Sequence, residues 1–199
     1  SQGRPTGRIC PHFHIPLQSG DDGILERMHR PYTGSQFDQL VEAIHQRLPR
    51  AAIGVDTLIG FPGESEVAFE NTYARSEALP VSYLHVFPFS ARKGTPAFHF
   101  KERVPDAVVK ERCRRMRALG EEKKRHFRQR LVGRRLSILV EGRQGRREGA
   151  IKGMTGNYVP VEVRCPASGA ASRPAPNTFV EVRIREVSAD LNLIGTLQG

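Results

Sequence analysis

The sequence predicts an α/β domain followed by a small all-β barrel, and three observations carry that expectation. Strand-like and helix-like segments alternate through the first hundred residues with short connections. A long basic helix follows. From Arg134 onward the apolar period drops to two. The 199 residues suffice for one to two domains with ordinary cores. Apolar residues make up 38% and charged residues 26%, a globular rather than a disordered composition.

His12-Phe-His-Ile-Pro-Leu17 reads as a short strand that ends at Gln18-Ser19-Gly20. Asp22 to Met28 forms a short helical piece. Thr33 with Gln36 three residues later is a capping box, opening a helix to about Leu48. Its apolar positions Phe37, Leu40, Val41, Ile44 and Leu48 keep the i, i+3, i+4 rhythm. Residues 52–59 are apolar and β-branched enough for a buried strand, which Gly60-Phe-Pro-Gly63 ends. Ser65 caps a helix to about Ala78, and 81–87 is the next strand. Connections this short predict parallel strands with right-handed crossovers.

Pro105 opens a helix to about Arg130, with Val109, Cys113, Met116, Leu119, Phe127 and Leu131 on one stripe. Gly120 costs roughly 1 kcal/mol in a helix interior, so a kink or break is expected there. Segments near 135–142, 147–153, 158–164, 178–185 and 190–197 are short and turn-punctuated, which predicts a five-stranded antiparallel barrel. Pro166 to Pro176 reads as a mobile loop. The domain boundary is placed at 132/133.

No apolar run approaches the ~18 residues of a membrane-spanning helix. Ser1 to Arg8 lack the apolar core of a secretory signal. Cys10, Cys113 and Cys165 are widely separated, which fits a reducing cytoplasm rather than a disulfide scaffold. Charge is concentrated. Of the formal net charge of +10, residues 101–150 hold 17 basic against 7 acidic side chains. Such a cluster suggests a polyanion, most often nucleic acid, with a solvated helix face as the alternative. The candidate RNA contacts are Lys123, Lys124, Arg128, Arg134, Arg135, Arg143, Arg146 and Arg147. Tyr158 and Phe179 are the evident stacking platforms of the barrel, which favours phosphate-backbone contact over base reading.

Parallel α/β folds bind ligands at the carboxyl ends of their strands. Three such ends carry polar or glycine-rich tips: Gln18 to Gly20, Gly60 to Glu64, and Ser90 to Thr95. If the strands are neighbours, these tips share one mouth. Gln18 and Ser19 offer hydrogen-bonding groups, and Arg30 a charge for a carboxylate. Gly60 and Gly63 let backbone approach a flat ring. Cys10, His12 and His14 alternate on one strand face, a metal-ligand spacing. No carboxylate partner is evident, so packing and hydrogen bonding are preferred and no metal is assigned. The cysteines form neither CxxxCxxC nor CxxC.

Taken together, these segments resemble one family. Pro11 to Thr33 is similar to the HxPxQSGS…VLxxMxRxYT stretch of the methylthiotransferase family of radical S-adenosylmethionine (SAM) enzymes. Asp56-Thr-Leu-Ile-Gly-Phe-Pro-Gly-Glu64 resembles its DxIxGFPGET segment, and Tyr83 to Ala97 its following strand. Asn157-Tyr-Val-Pro-Val161, Val180-Glu-Val-Arg183 and Leu193-Ile-Gly-Thr-Leu197 resemble its C-terminal TRAM domain, an OB-like barrel that contacts tRNA. Asp21 and Asp22 stand where the family usually has Ser-Asp.

The resemblance implies the last three βα units of a radical SAM barrel followed by TRAM. The family's N-terminal domain and its CxxxCxxC loop are not in this sequence. The parent chemistry it implies uses a [4Fe–4S] cluster to cleave SAM to a 5′-deoxyadenosyl radical. That radical abstracts hydrogen from adenine C2, a second cluster supplies sulfur, and another SAM supplies methyl. HVFPFS most resembles the branch acting on N6-threonylcarbamoyladenosine in tRNA. The isopentenyladenosine and ribosomal-protein branches, or a stand-alone RNA-binding protein, are the alternatives. Carried over by motif, Gln18, Ser19 and Arg30 would contact SAM ribose or carboxylate, and Gly60, Phe61 and Pro62 would border its adenosine. The 199 residues alone are expected to be inactive, for want of cluster ligands. The expected partners are tRNA, the missing N-terminal part, or a second copy through the exposed barrel edge; partner pairing, domain swapping or disorder is expected over residues 1–35.

Overall fold

The computed structural model describes residues 9–144, 150–164 and 174–198. They divide into two compact units, Phe13–Lys123 and a second built from the residues before Phe13 together with Lys124–Gly199.

The chain opens with β1 (His12–Gln18), α1 (Asp22–Arg27), α2 (Gly34–Arg47), β2 (Ala52–Ile59), α3 (Glu66–Ala78) and β3 (Tyr83–Pro88). A 3₁₀ turn at Pro96–His99 leads to α4 (Asp106–Gln129). Local chemistry starts each helix. The Asp21 carboxylate accepts from Ile24 N–H before α1, Thr33 and Gln36 form the expected capping box of α2, and the Ser65 hydroxyl accepts from Ala68 N–H before α3.

The sheet order is β1-β2-β3, and β2 and β3 run parallel as expected, with Gly54 opposite Tyr83 and Asp56 opposite His85. Strand alternation then divides the side chains between two faces. Leu17, Ile53 and Val55 are buried with Phe37, Val41, Leu79 and Val81. Ile59 joins Phe69, Cys113 and Met116 in an adjoining cluster, where burial pushes the Cys113 thiol pKa up. The opposite face carries His14, Asp56, Tyr83, His85 and Phe87, all at least partly exposed. Parallel sheets are ordinarily covered on both sides. Gly54 lies under a ring on that face: a Cβ there would stand 2.1 Å from Tyr83 Cζ.

Gly120 does not break the helix, for α4 runs continuously through it. A Cβ at Gly120 would meet the Leu84 Cβ at 3.2 Å, so the glycine serves close approach of α4 to β3 rather than a break.

One ion pair ties α4 to the corner after β2. Arg112 Nη1 donates to Glu64 Oε1 at 2.8 Å and to the Glu64 carbonyl at 3.0 Å, and Nη2 to Glu66 Oε2 at 2.7 Å. Glu64 Oε1 also accepts from Gly60 N–H at 3.1 Å. The Arg112 and Glu64 side chains are only 6% and 1% exposed. Burial pushes the Glu64 pKa up, against the pull of Gly60 N–H and Arg112.

In the second unit β4 (Arg135–Gln144), β5 (Ala150–Thr155), β6 (Pro160–Arg164), β7 (Phe179–Val187) and β8 (Leu193–Leu197) close a barrel in the order β4-β5-β6-β8-β7. Ile138, Val140, Ile151, Val161, Val163, Val182, Ile184 and Leu193 are buried. The expectation of a wholly antiparallel barrel needs correction, because β6 and β8 pair parallel. A closed ring of five strands is odd-numbered, so directions cannot alternate all the way round and one neighbouring pair must run the same way. The loop expected at 166–176 lies mostly outside the described residues.

Two outcomes check this packing. Gly20→Ala would place a Cβ 2.6 Å from the Thr72 Cα, a backbone atom that cannot rotate away; denaturant unfolding should show a loss of about 1–3 kcal/mol. Arg112→Met leaves the Glu64 carboxyl buried without its partner and should cost about 3–5 kcal/mol, with much of the loss recovered by adding Glu64→Gln.

Candidate functional site

Two features of the first unit bring chemistry-bearing side chains together. The first is the open sheet face. His14 Nε2 lies 2.7 Å from Asp56 Oδ1, and His85 Nδ1 lies 3.5 Å from the same oxygen. The Tyr83 hydroxyl lies 3.5 Å from His14 Nδ1. Burial and the Asp56 charge both raise the Tyr83 pKa, so this phenol stays protonated.

The second is a cavity of about 310 Å³ at the carboxyl end of β2, lined by Arg27, Arg30, Leu58, Phe61, Pro96 and Phe100 among others. Phe61 anchors it. Its ring meets Phe89 and Phe100 edge-on, with centroids 5.2 and 6.0 Å away. Arg27 donates to Glu102 at 2.9 Å and lies over the Phe100 ring. Arg30, exposed beside them, has no ion pair among the described residues.

The expected binding residues separate under this geometry. Arg30 and Phe61 share the cavity, together with Thr95 from the third corner. Gln18 and Arg92 are not in its lining. Gln18 instead ends β1 in the left-handed region, φ 65°, a strained conformation for a non-glycine residue. Ser19, expected to face ligand, is buried and committed: its hydroxyl lies 3.3 Å from Thr72 Oγ1 and accepts from Asp21 N–H. Gly60 turns the chain at φ +83° and its N–H is taken by Glu64. Pro62 is buried beside it. Ser19, Gly60 and Pro62 thus shape the corner, with the Ser19 hydroxyl and the Gly60 N–H held by partners within the chain.

The basic candidates also divide. Lys123 does not present a free ammonium: Nζ donates to the Glu77 and Leu79 carbonyls at 2.7 and 2.8 Å, capping the end of α3. Burial lowers its pKa. Arg128 donates to the Leu191 carbonyl. Lys124 is half-buried, whereas Arg134 and Arg135 are exposed. The Arg143 side chain and all of Arg146 and Arg147 lie outside the described residues. Arg125 on the last turns of α4 and Arg130 just past its end, both exposed, were missed by reading the charge run without its helical phase.

Cys10 is exposed, and the His12 ring lies 4.8 Å from that of Tyr158. His14 is engaged with Asp56 and His85 instead. The carboxylate that the sequence did not reveal is Asp56, on the neighbouring strand. Its signal was the strand phase of Asp56 and His85, each flanked by residues of the buried face.

No helix of the described residues is long and apolar enough to cross a membrane. No family model matches the chain. Its relatives are tRNA methylthiotransferases. It is 38% identical over 180 residues to a tRNA-2-methylthio-N(6)-dimethylallyladenosine synthase of Clavibacter michiganensis subsp. michiganensis, covering 89% of this chain and 34% of that protein. A synthase of the same name from Paenarthrobacter aurescens is 35% identical over 185 residues, covering 92% of this chain and 36% of the relative. The threonylcarbamoyladenosine tRNA methylthiotransferase MtaB of Aquifex aeolicus is 41% identical over 133 residues, 67% of this chain and 32% of that protein. The chain thus spans about a third of the length of the curated relatives it matches.

The Lys123 cap has a measurable consequence. Its folded pKa is lowered, so between that value and the ordinary lysine value the unfolded chain holds more protons and stability rises with pH. Paired unfolding curves across alkaline pH should show that this rise is weaker in Lys123→Met.

Proposed function

We propose that the chain is the C-terminal portion of a tRNA methylthiotransferase: the last βα units of its SAM barrel followed by an RNA-contacting TRAM module. The observation that carries this reading is the placement of the family-like Gly60-Phe-Pro-Gly63 corner at the end of β2. There Phe61 shares a cavity with Thr95, from the third corner, and with Arg30, which follows α1.

The donor set suits SAM in part. Arg30 offers a guanidinium to a carboxylate and Phe61 an aromatic edge to an adenine. Ser19, Gly60 and Pro62 position the corner, and Arg112 holds it through Glu64. SAM, when bound, supplies the methyl group and the radical chemistry. An iron–sulfur cluster does not fit the described residues. Cys10 is exposed, Cys113 is buried in the core, and neither has a second cysteine nearby in sequence. The chain reconstituted with iron and sulfide should gain no cluster absorbance.

The substrate in this reading is an N6-modified adenosine of tRNA. The Tyr83 to Ala97 segment favours N6-threonylcarbamoyladenosine, whereas the longer alignments to dimethylallyladenosine synthases favour the second branch. Nucleoside mass spectrometry of tRNA from cells lacking the gene separates the two. Loss of the 2-methylthio form of threonylcarbamoyladenosine supports the first branch, loss of the dimethylallyl form the second, and loss of neither contradicts the proposal.

RNA contact is tested on the chain itself. Filter binding of tRNA should weaken steeply with salt, each phosphate contact adding about 0.7–0.9 to the magnitude of the log–log slope. Arg134→Glu with Arg135→Glu should flatten that slope and weaken binding at least tenfold, while Lys123→Met leaves it unchanged. A salt-independent isotherm contradicts the RNA reading.

A further inference from the structure

We propose that His14, Asp56 and His85 form a binding site for one divalent transition-metal ion of the zinc type, an inference independent of the tRNA reading. Each of three neighbouring strands contributes one side chain to the same sheet face. The His14 Nε2 and Asp56 Oδ1 atoms are 2.7 Å apart and His85 Nδ1 is 3.5 Å from that oxygen, with all three ligand atoms within 4.8 Å of one another.

Zinc takes imidazole nitrogen and carboxylate oxygen at about 2.0–2.2 Å in tetrahedral geometry, which sets the ligand atoms roughly 3.3 Å apart. The observed separations bracket that spacing. The three side chains are 35%, 24% and 51% exposed, so an ion in solvent has access to all three. Two imidazoles and one carboxylate are the donor set of catalytic zinc and non-haem iron sites, and they leave further coordination positions to solvent or substrate.

A second contact supports the assignment. Metal-bound histidine usually donates its other ring N–H to an oxygen, which fixes the tautomer. Here the Tyr83 hydroxyl stands 3.5 Å from His14 Nδ1, the nitrogen left over when Nε2 ligates. Tyr83 in turn lies across Gly54, where a Cβ would collide with its ring. The rival reading is a His14–Asp56–His85 hydrogen-bond cluster with no ion.

The chain, stripped with a chelator, is titrated with Zn²⁺ by calorimetry and with Co²⁺ by visible absorption. The proposal expects one ion per chain and Co²⁺ bands of low-symmetry N/O coordination. His14→Ala, His85→Ala and Asp56→Asn should each weaken affinity at least tenfold, whereas Cys10→Ser with His12→Ala should leave it unchanged. A readout on the unmodified chain guards against misfolded variants: Zn²⁺ should protect His14 and His85 together from carbethoxylation, as read by peptide mass spectrometry. Absence of stoichiometric binding, binding that survives Asp56→Asn and His85→Ala, or labelling unaffected by Zn²⁺ would overturn the site.

Discussion

A buried guanidinium holds the candidate site together. Arg112 reaches from α4 to the Glu64 carboxylate, and that carboxylate reaches back to the Gly60 N–H at the end of β2. Taking two charges out of water is costly, and the pair is sustained because Arg112 also bonds the Glu64 carbonyl and Glu66, with Phe69 stacked beneath it. The loop that turns at Gly60 and presents Phe61 is thereby a fixed part of the fold. Phe61, locked against Phe89 and Phe100, defines the cavity that Arg30 borders.

The same sheet assigns opposite duties to its two faces. Leu17, Ile53, Val55 and Ile59 make the core. The alternate positions hold His14, Asp56 and His85 on a surface that ordinary parallel sheets cover. A polar, titratable lining is unsuited to plain packing and suited to a site. The Gly54–Tyr83 crossing shows that this face is shaped as closely as the core is.

Much of the fold was legible because short-range chemistry fixes it. Thr33 with Gln36 and Ser65 with Ala68 mark helix starts from neighbours alone, and the β-branched run 52–59 coincides with β2. Long-range features were not legible. Gly120 carries the same propensity penalty whether a helix breaks or packs closely, and only the position of Leu84 decides between them. That the barrel holds a parallel pair follows from closing an odd-numbered ring, and the strand order places it at β6–β8. At the site, Arg30 and Phe61 line one cavity. The hydroxyl of Ser19 and the ammonium of Lys123 were taken up by Thr72 and by the end of α3, partners remote in sequence. Asp56 escaped notice as a partner of His14 because 42 residues separate them.

The most direct measurement is the amide spectrum of the ¹⁵N-labelled chain titrated with S-adenosylhomocysteine, an unreactive relative of SAM. If the strand-end corners form a sulfonium-nucleoside subsite, the shifts will concentrate at Arg30, Gly60 to Gly63 and Thr95 to Ala97, and they will vanish in Phe61→Ala. Unmoved resonances at millimolar ligand, or shifts confined to residues 135–198, would contradict it.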